Sequence, residues 1–329
     1  MLRRAGYQVT RPPGHPARKM APPEGSRLLT RPVIVLSPAR AGSTLLRMIL
    51  DSHSALYAPP ELPLAQLTVR AETSWMRTSL KELQLTAQEV NYLLWDRVLA
   101  DTLSRSGKPT IVVKTPSNVL VWRDIAQCWP DARFIFLLRH PASAVASLNA
   151  SFDAAWHPGE GGGLAESAAK ALRYMTCLEE ARRALPGHTV RYEDLTAEPR
   201  EQARQLCEFL GVPFEPAMLS YGQFGHGRIG AGLGDASAKL KSGRIQSATL
   251  PPLGLAPGSE GFPDELVRMC ATWGYYVPEA AEFGAPADPS PSPGFSVPPG
   301  FSVPPDFSVP EQAGPVDERS SLSDERADS

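Results

Sequence analysis

The stretch Val33–Leu50, VIVLSPARAGSTLLRMIL, constrains the fold more than any other. Val33–Ser37 is a short apolar run of the buried-strand type, and Ser43–Leu50 carries Leu45, Met48 and Ile49 at helical spacing. The loop between them is Ser37-Pro38-Ala39-Arg40-Ala41-Gly42-Ser43-Thr44. Backbone N–H groups at a helix start lack intrahelical partners and carry positive potential. Gly42 permits close approach of an anion, and the Ser43 and Thr44 hydroxyls add donors, so the loop suits a phosphate. It is not a Walker A loop: GxxxxGK[ST] is absent, and Arg40 stands earlier in the loop in place of the lysine. Taken alone, the pattern fits an ordinary strand–helix turn with a Ser cap equally well.

The alternation continues along the chain. Thr110–Val113 and Arg133–Leu138 read as strands, and Val119–Cys128 as a helix. Pro141 suits the first turn of another helix. Leu164, Ala168, Ala171, Met175 and Leu178 step by four, three, four and three, the mark of a long amphipathic helix. Thr189–Tyr192 reads as a fourth strand, and a helix through Ala203, Leu206, Cys207 and Leu210 stops at Gly211. Apolar strands separated by helices predict an α/β fold: a mostly parallel sheet with helices on both faces. Right-handed crossovers then gather the loops after the strands along one edge, where ligands bind.

Composition bounds the rest. Lys plus Arg total 33 against 35 Asp plus Glu, a net −2, which argues against nucleic-acid binding through bulk charge. No apolar run approaches eighteen residues, so no membrane span is expected. The four cysteines, Cys128, Cys177, Cys207 and Cys270, form no CxxC pair, which predicts inert thiols in a reducing compartment and no zinc site. Of the 34 prolines, six fall in residues 1–32 and ten in 281–329. The expected organisation is a flexible basic leader over 1–31, a globular domain over 32–280 and a disordered tail over 281–329. The leader lacks the apolar core of a secretory signal, so a cytoplasmic protein is expected, with Met20 an alternative start. In the tail, FSVP recurs with a period of six at Phe295, Phe301 and Phe307, followed by a second proline in the first two units. Such a repeat reads as an extended polyproline-like segment, either plain disordered tail or a docking strip for a protein partner.

A second basic site follows the third strand: Arg139-His140-Pro141, with Ser147 eight residues beyond Arg139. An Arg and a hydroxyl so placed suit a second phosphate group. The order SPARAGSTLL, FLLRHPASAVASL, VRYEDL resembles sulfotransferases that use 3′-phosphoadenosine 5′-phosphosulfate (PAPS). The resemblance runs from about Pro32 to Tyr276, and the pattern is nearest the protein-tyrosine sulfotransferase-like and bacterial branches. It implies a P-loop-like fold around a nucleotide, with no metal. It also implies that Arg40, Ala41, Gly42, Ser43 and Thr44 hold the phosphosulfate. Arg139 and Ser147 would hold the 3′-phosphate, with Tyr192 near the nucleotide. Arg228 and the stretch Gly232–Arg244, including Lys239 and Lys241, resemble the C-terminal PAPS-binding region. There Ala236 stands where the cytosolic branch has Trp.

The same resemblance assigns Glu61, 21 residues after Arg40, as general base, and Lys114, in Lys-Thr-Pro, as the group that meets charge on the bridging oxygen. Histidines compete for the base: His53 reads as structural, His140 as shaping its turn, and His157 lies in a Gly-rich stretch fit for a lid. Ser237 is a further candidate donor to the sulfuryl group. The expected reaction is sulfuryl transfer to a hydroxyl on a small metabolite or glycolipid, with peptide tyrosine as the competing acceptor. Leu62–Asp101 and Phe152–Leu164 are expected to select it. The alternatives are a P-loop kinase or NTPase, and a non-catalytic nucleotide-binding protein.

Overall fold

The computed structural model describes residues 27–155, 163–227, 237–248 and 263–275. All of them belong to one compact unit within Met1–Pro286. The FSVPP repeats, His157, Arg228 and Gly232–Ala236 lie outside the described residues.

Five strands form one parallel sheet. They are β1 (Val33–Leu36), β2 (Leu56–Tyr57), β3 (Thr110–Lys114), β4 (Arg133–Leu138) and β5 (Gly187–Arg191), in the order β2-β3-β1-β4-β5. The helices, in chain order, are α1 (Ser43–Asp51), α2 (Ser74–Glu82), α3 (Ala87–Ser106), α4 (Trp122–Cys128), α5 (Pro141–Ala155) and α6 (Leu164–Ala184). There follow α7 (Tyr192–Ala197), α8 (Pro199–Leu210), α9 (Ala238–Lys241) and α10 (Asp264–Thr272). The sheet and its flanking helices agree with the α/β expectation. Boundaries move: the fourth predicted strand spans Gly187–Arg191 and Tyr192 opens α7, while the helix expected over Val119–Cys128 is α-helical only from Trp122, after a 3-10 helix over Pro116–Val121.

The apolar strands serve two cores at once because successive side chains alternate faces. Ile34, Leu36, Ile111, Val113, Phe134, Phe136 and Leu138 point into one core, packed with residues of α3, α4, α5, α6 and α10. Val33, Val35, Val112, Ile135, Leu137 and Val190 point into the other, with α1, α7 and α8. Each fully buried Val, Leu, Ile or Phe contributes about 1.5–3 kcal/mol, which is why runs such as RFIFLL carry no polar residue after their first position.

Caps fix the helix ends. Thr86 Oγ1 accepts the Glu89 amide and Glu89 Oε2 accepts the Thr86 amide, a reciprocal box at the start of α3, which stops at the left-handed Gly107. At the chain's other described edge, the last residues of the basic leader are held. The Leu28 and Leu29 amides donate to the buried Asp96, Arg27 Nε donates to the Cys128 carbonyl, and Leu29 itself is buried.

Topology locates the site. The chain leaves β1 through α1 toward β2 on one side, then jumps from β3 across β1 to β4 on the other. The carboxyl end of β1 is therefore the point where the winding reverses, the crevice that binds ligands in open parallel sheets. Register puts Lys114, the last residue of β3, beside Val35, and Phe136 beside Leu36.

Candidate active site

The loop after β1 has unusual backbone geometry. Arg40 has φ 63° and Gly42 φ 84°, both left-handed. Alternation of this kind makes an anion-binding nest of amides. Gly42 caps α1, and no side chain caps the helix there. A Cβ on Gly42 would lie 2.2 Å from Tyr192 Cδ2, so glycine is required by contact as well as by φ. Ala41, Ser43 and Thr44 are buried. Ser37 Oγ, at the end of β1, is buried and has no hydrogen-bond partner among the described residues.

The two predicted anion sites touch. Arg40 Nε donates to Ser147 Oγ at 3.1 Å, and Arg139 Nη1 donates to the Arg40 carbonyl at 2.7 Å. Ser147 thus sits with Arg40 rather than with Arg139 alone. The Arg139 guanidinium lies over the Tyr192 ring, 4.8 Å from its centre. Burial pulls Arg139 below the ordinary arginine value; Tyr192 and Glu193 oppose this, and the like charge of Arg40 adds to it. A desolvated cation of this kind gains from an arriving anion. Lys239 in α9 donates to the Ser247 carbonyl at 2.7 Å. Burial lowers its pKa first and the charge of Arg139 second, so it stands on the same side as Arg139. Lys241, at the end of the same short helix, is exposed. Ser237 caps that helix, accepting the Leu240 amide.

Lys114 and Glu61 form an ion pair, with Lys114 fully buried and the Glu61 side chain 16% exposed. Lys114 Nζ also donates to Thr44 Oγ1 at 3.4 Å, which links β3 to the loop. The sequence-predicted base and cation are therefore brought together at the mouth of the nest.

The histidines are placed differently. His53 is buried: its Nε2 donates to the Pro213 carbonyl at 2.8 Å and its Nδ1 accepts the Ala55 amide at 2.9 Å. Both nitrogens serve the backbone, as a structural residue requires. His140 donates its backbone amide to Glu193 and packs on the Tyr275 ring. Glu193 also accepts the Tyr275 hydroxyl at 2.7 Å. Burial, then the charge of Glu193, raises the Tyr275 pKa, so this phenol stays protonated and donates.

Sequence reasoning missed a buried cluster beneath the site. Arg47 and Asp51 of α1 are both buried. Arg47 Nη1 donates to the Ala58 carbonyl at 2.8 Å, and its guanidinium reaches the His226 carbonyl. Asp51 Oδ2 meets His226 Nδ1 at 2.7 Å, while His226 Nε2 faces the Tyr221 carbonyl at 2.8 Å. Burial lowers the Arg47 pKa, and Asp51 and Glu61 push it back up. Only the four-residue spacing of Arg47 and Asp51, on one helix face, signals this in the sequence. Among the described residues no group of three or more His, Cys, Asp or Glu is arranged to hold a metal. No described helix is long and apolar enough to cross a membrane.

Comparison with known proteins bears on the family and the fold. The chain is 28% identical over 207 residues to protein-tyrosine sulfotransferase 1 of Danio rerio, covering 55% of this chain and 53% of the relative. It is 29% identical over 215 residues to nodulation protein NoeE of Sinorhizobium fredii, covering 57% and 51%. It therefore spans about half the length of these relatives. Two solved structures share the fold at 22% identity: a sulfotransferase domain from the curacin biosynthetic pathway (TM-score 0.51, 77% of this chain and 100% of that one) and one from the Synechococcus PCC 7002 olefin synthase (0.52, 76% and 98%). Residues 32–216 match the family model described as the Sulfotransferase family, and the chain belongs to that family.

Proposed function

We propose that this chain moves a sulfuryl group from PAPS to an acceptor hydroxyl. The observation that carries the reading is the Lys114–Glu61 pair, linked through Thr44 to the nest after β1. The nest, the buried Ser37 hydroxyl with no partner among the described residues and the desolvated Arg139 fit a nucleotide with anionic groups at both ends. PAPS, when bound, supplies an activated sulfur: the acceptor O–S bond forms as the S–O bond to the 5′-phosphate breaks.

The residues of the chain have the remaining work. Glu61 accepts the acceptor hydroxyl proton, a general-base role worth about 10²–10⁴-fold. Lys114, fixed at the strand end, stabilises negative charge on the departing phosphate oxygen. Arg40 and the amides from Ala41 to Thr44 hold the 5′ end. Arg139, Ser147, Tyr192 and Lys239 hold the 3′ end, with Lys241 at the rim. The acceptor in this proposal is a small metabolite or glycolipid, and the setting is the cytoplasm.

Incubation with radiolabelled PAPS and a panel of alcohols, phenols, a tyrosine peptide and cell extract tests it. Label on a small alcohol or glycolipid supports the reading, and label on the peptide alone replaces the acceptor class. No transfer, together with thermal stabilisation by ATP and none by 3′,5′-ADP, favours the NTPase alternative.

A further inference from the structure

Residues Ala58–Leu64 read Ala-Pro-Pro-Glu-Leu-Pro-Leu, with Glu61 at the centre. Pro59, Pro60 and Pro63 have no N–H, so the segment cannot be tied by a regular ladder of backbone bonds. Side chains hold it at both ends instead. At its start the Ala58 amide donates to Asp51 Oδ1 at 2.8 Å and the Ala58 carbonyl accepts from Arg47. At its end the Leu62 amide donates to Thr115 Oγ1 at 2.9 Å, and the Thr115 hydroxyl returns a bond to the Leu62 carbonyl at 3.1 Å. Asn118 Nδ2 donates to the same carbonyl at 3.4 Å, and the Leu64 amide donates to Asn118 Oδ1 at 3.0 Å.

Thr115 is 2% exposed and Asn118 1%. One hydroxyl and one carboxamide therefore satisfy three backbone groups of the segment, using one donor and one acceptor each. The two residues follow Lys114 at once, in Lys-Thr-Pro-Ser-Asn. The segment that begins with the cation also grips the strap that carries the carboxylate.

We infer that Thr115 and Asn118 are positioning residues for Glu61: they set where the carboxylate stands relative to Lys114 and the acceptor oxygen. The inference rests on the function proposed above. It goes further in naming two residues that touch neither donor nor acceptor. Their effect passes through Glu61, because Leu62 is its direct neighbour and is the residue both of them bind. Misplacing a reacting group by about 1 Å costs on the order of 10²-fold in rate, so a loosened strap weakens turnover more than it weakens the hold of Arg139 and Arg40 on the nucleotide.

The test uses the full chain with radiolabelled PAPS and whichever member of the acceptor panel the wild type sulfates. Thr115→Val removes the hydroxyl at constant volume, and Asn118→Leu, made in parallel, removes the carboxamide. Each is expected to lower kcat about 10–100-fold while KM for PAPS changes less than about 3-fold. Thr115→Ser, which keeps the hydroxyl, recovers most of the loss. In a Glu61→Gln background, Thr115→Val costs less than about 2-fold, because two changes acting through one group do not multiply. Full multiplication of the two losses, or an equal loss in PAPS binding, overturns the positioning role while leaving the function intact. A wild type that sulfates nothing removes the function itself, and the role with it.

Discussion

Arg40 Nε donates to Ser147 Oγ at 3.1 Å, which ties the loop after β1 to the helix α5 that follows β4. With Arg139 bonded to the Arg40 carbonyl, the two anion grips form one continuous ridge across the crevice. A hydrogen bond to a charged group is worth about 1.5–3 kcal/mol, or about 10–100-fold in affinity. Arg139→Ala is expected to raise KM for PAPS by at least that much, and Ser147→Ala by about 10-fold, with smaller changes in kcat. Steady-state kinetics, with calorimetric titration of 3′,5′-ADP, checks both. An Arg139→Ala enzyme with normal KM removes the nucleotide site assigned here.

Lys114 is the opposite case. Its ammonium lies at the strand end with Glu61 and Thr44. Lys114→Ala is expected to lower kcat by about 10²–10³-fold, as loss of a preorganised charge does elsewhere, with 3′,5′-ADP affinity within about 3-fold of wild type. Single-turnover measurement separates the chemical step from binding.

Gly42→Ala tests the nest directly. The new methyl meets the Tyr192 ring at 2.2 Å and the backbone is left-handed there, so two penalties combine. A loss of about 2–4 kcal/mol is expected, read as a lower denaturation midpoint. Adding Tyr192→Ala relieves the contact alone, so the double variant recovers part of the loss and keeps the part due to φ.

His188, half-buried on β5 and stacked on Phe209, gives the fold a pH dependence. Burial lowers its pKa from the ordinary 6.5. Its Nε2 has no partner among the described residues. The unfolded chain then binds a proton that the folded chain resists. Stability is therefore full above about pH 6.5 and falls as the pH drops toward the depressed value. Urea denaturation from pH 8 to 5 should show this slope, and His188→Phe should flatten it.

The sheet was legible because strands buried on both faces cannot hide polar residues, so β1, β3 and β4 stand out as apolar runs. β2 was not, since two residues, Leu56 and Tyr57, carry no period. α3 stands out less, although Tyr92, Trp95 and Leu99 step by three and four, because half of its residues are polar and few of them are buried. The helical spacing of Leu45, Met48 and Ile49 marks α1, but every one of its residues is buried, and Arg47 and Asp51 turn inward to partners far along the chain. Motif order singles out the candidate site residues one by one. The contact between Arg40 and Ser147 was not legible, because it depends on how β1 and β4 lie side by side. The grip of Thr115 and Asn118 on Leu62 and Leu64 joins segments more than fifty residues apart, and no local pattern records it.

The clamp at Leu64 also marks where the chain is released. Beyond it lies α2, in which no residue is buried, with Trp75 standing 67% in solvent. Surface changes there load no core and pull on no part of the proline strap. A protein engineer can thus recut this flank while the Glu61 carboxylate keeps its coordinates.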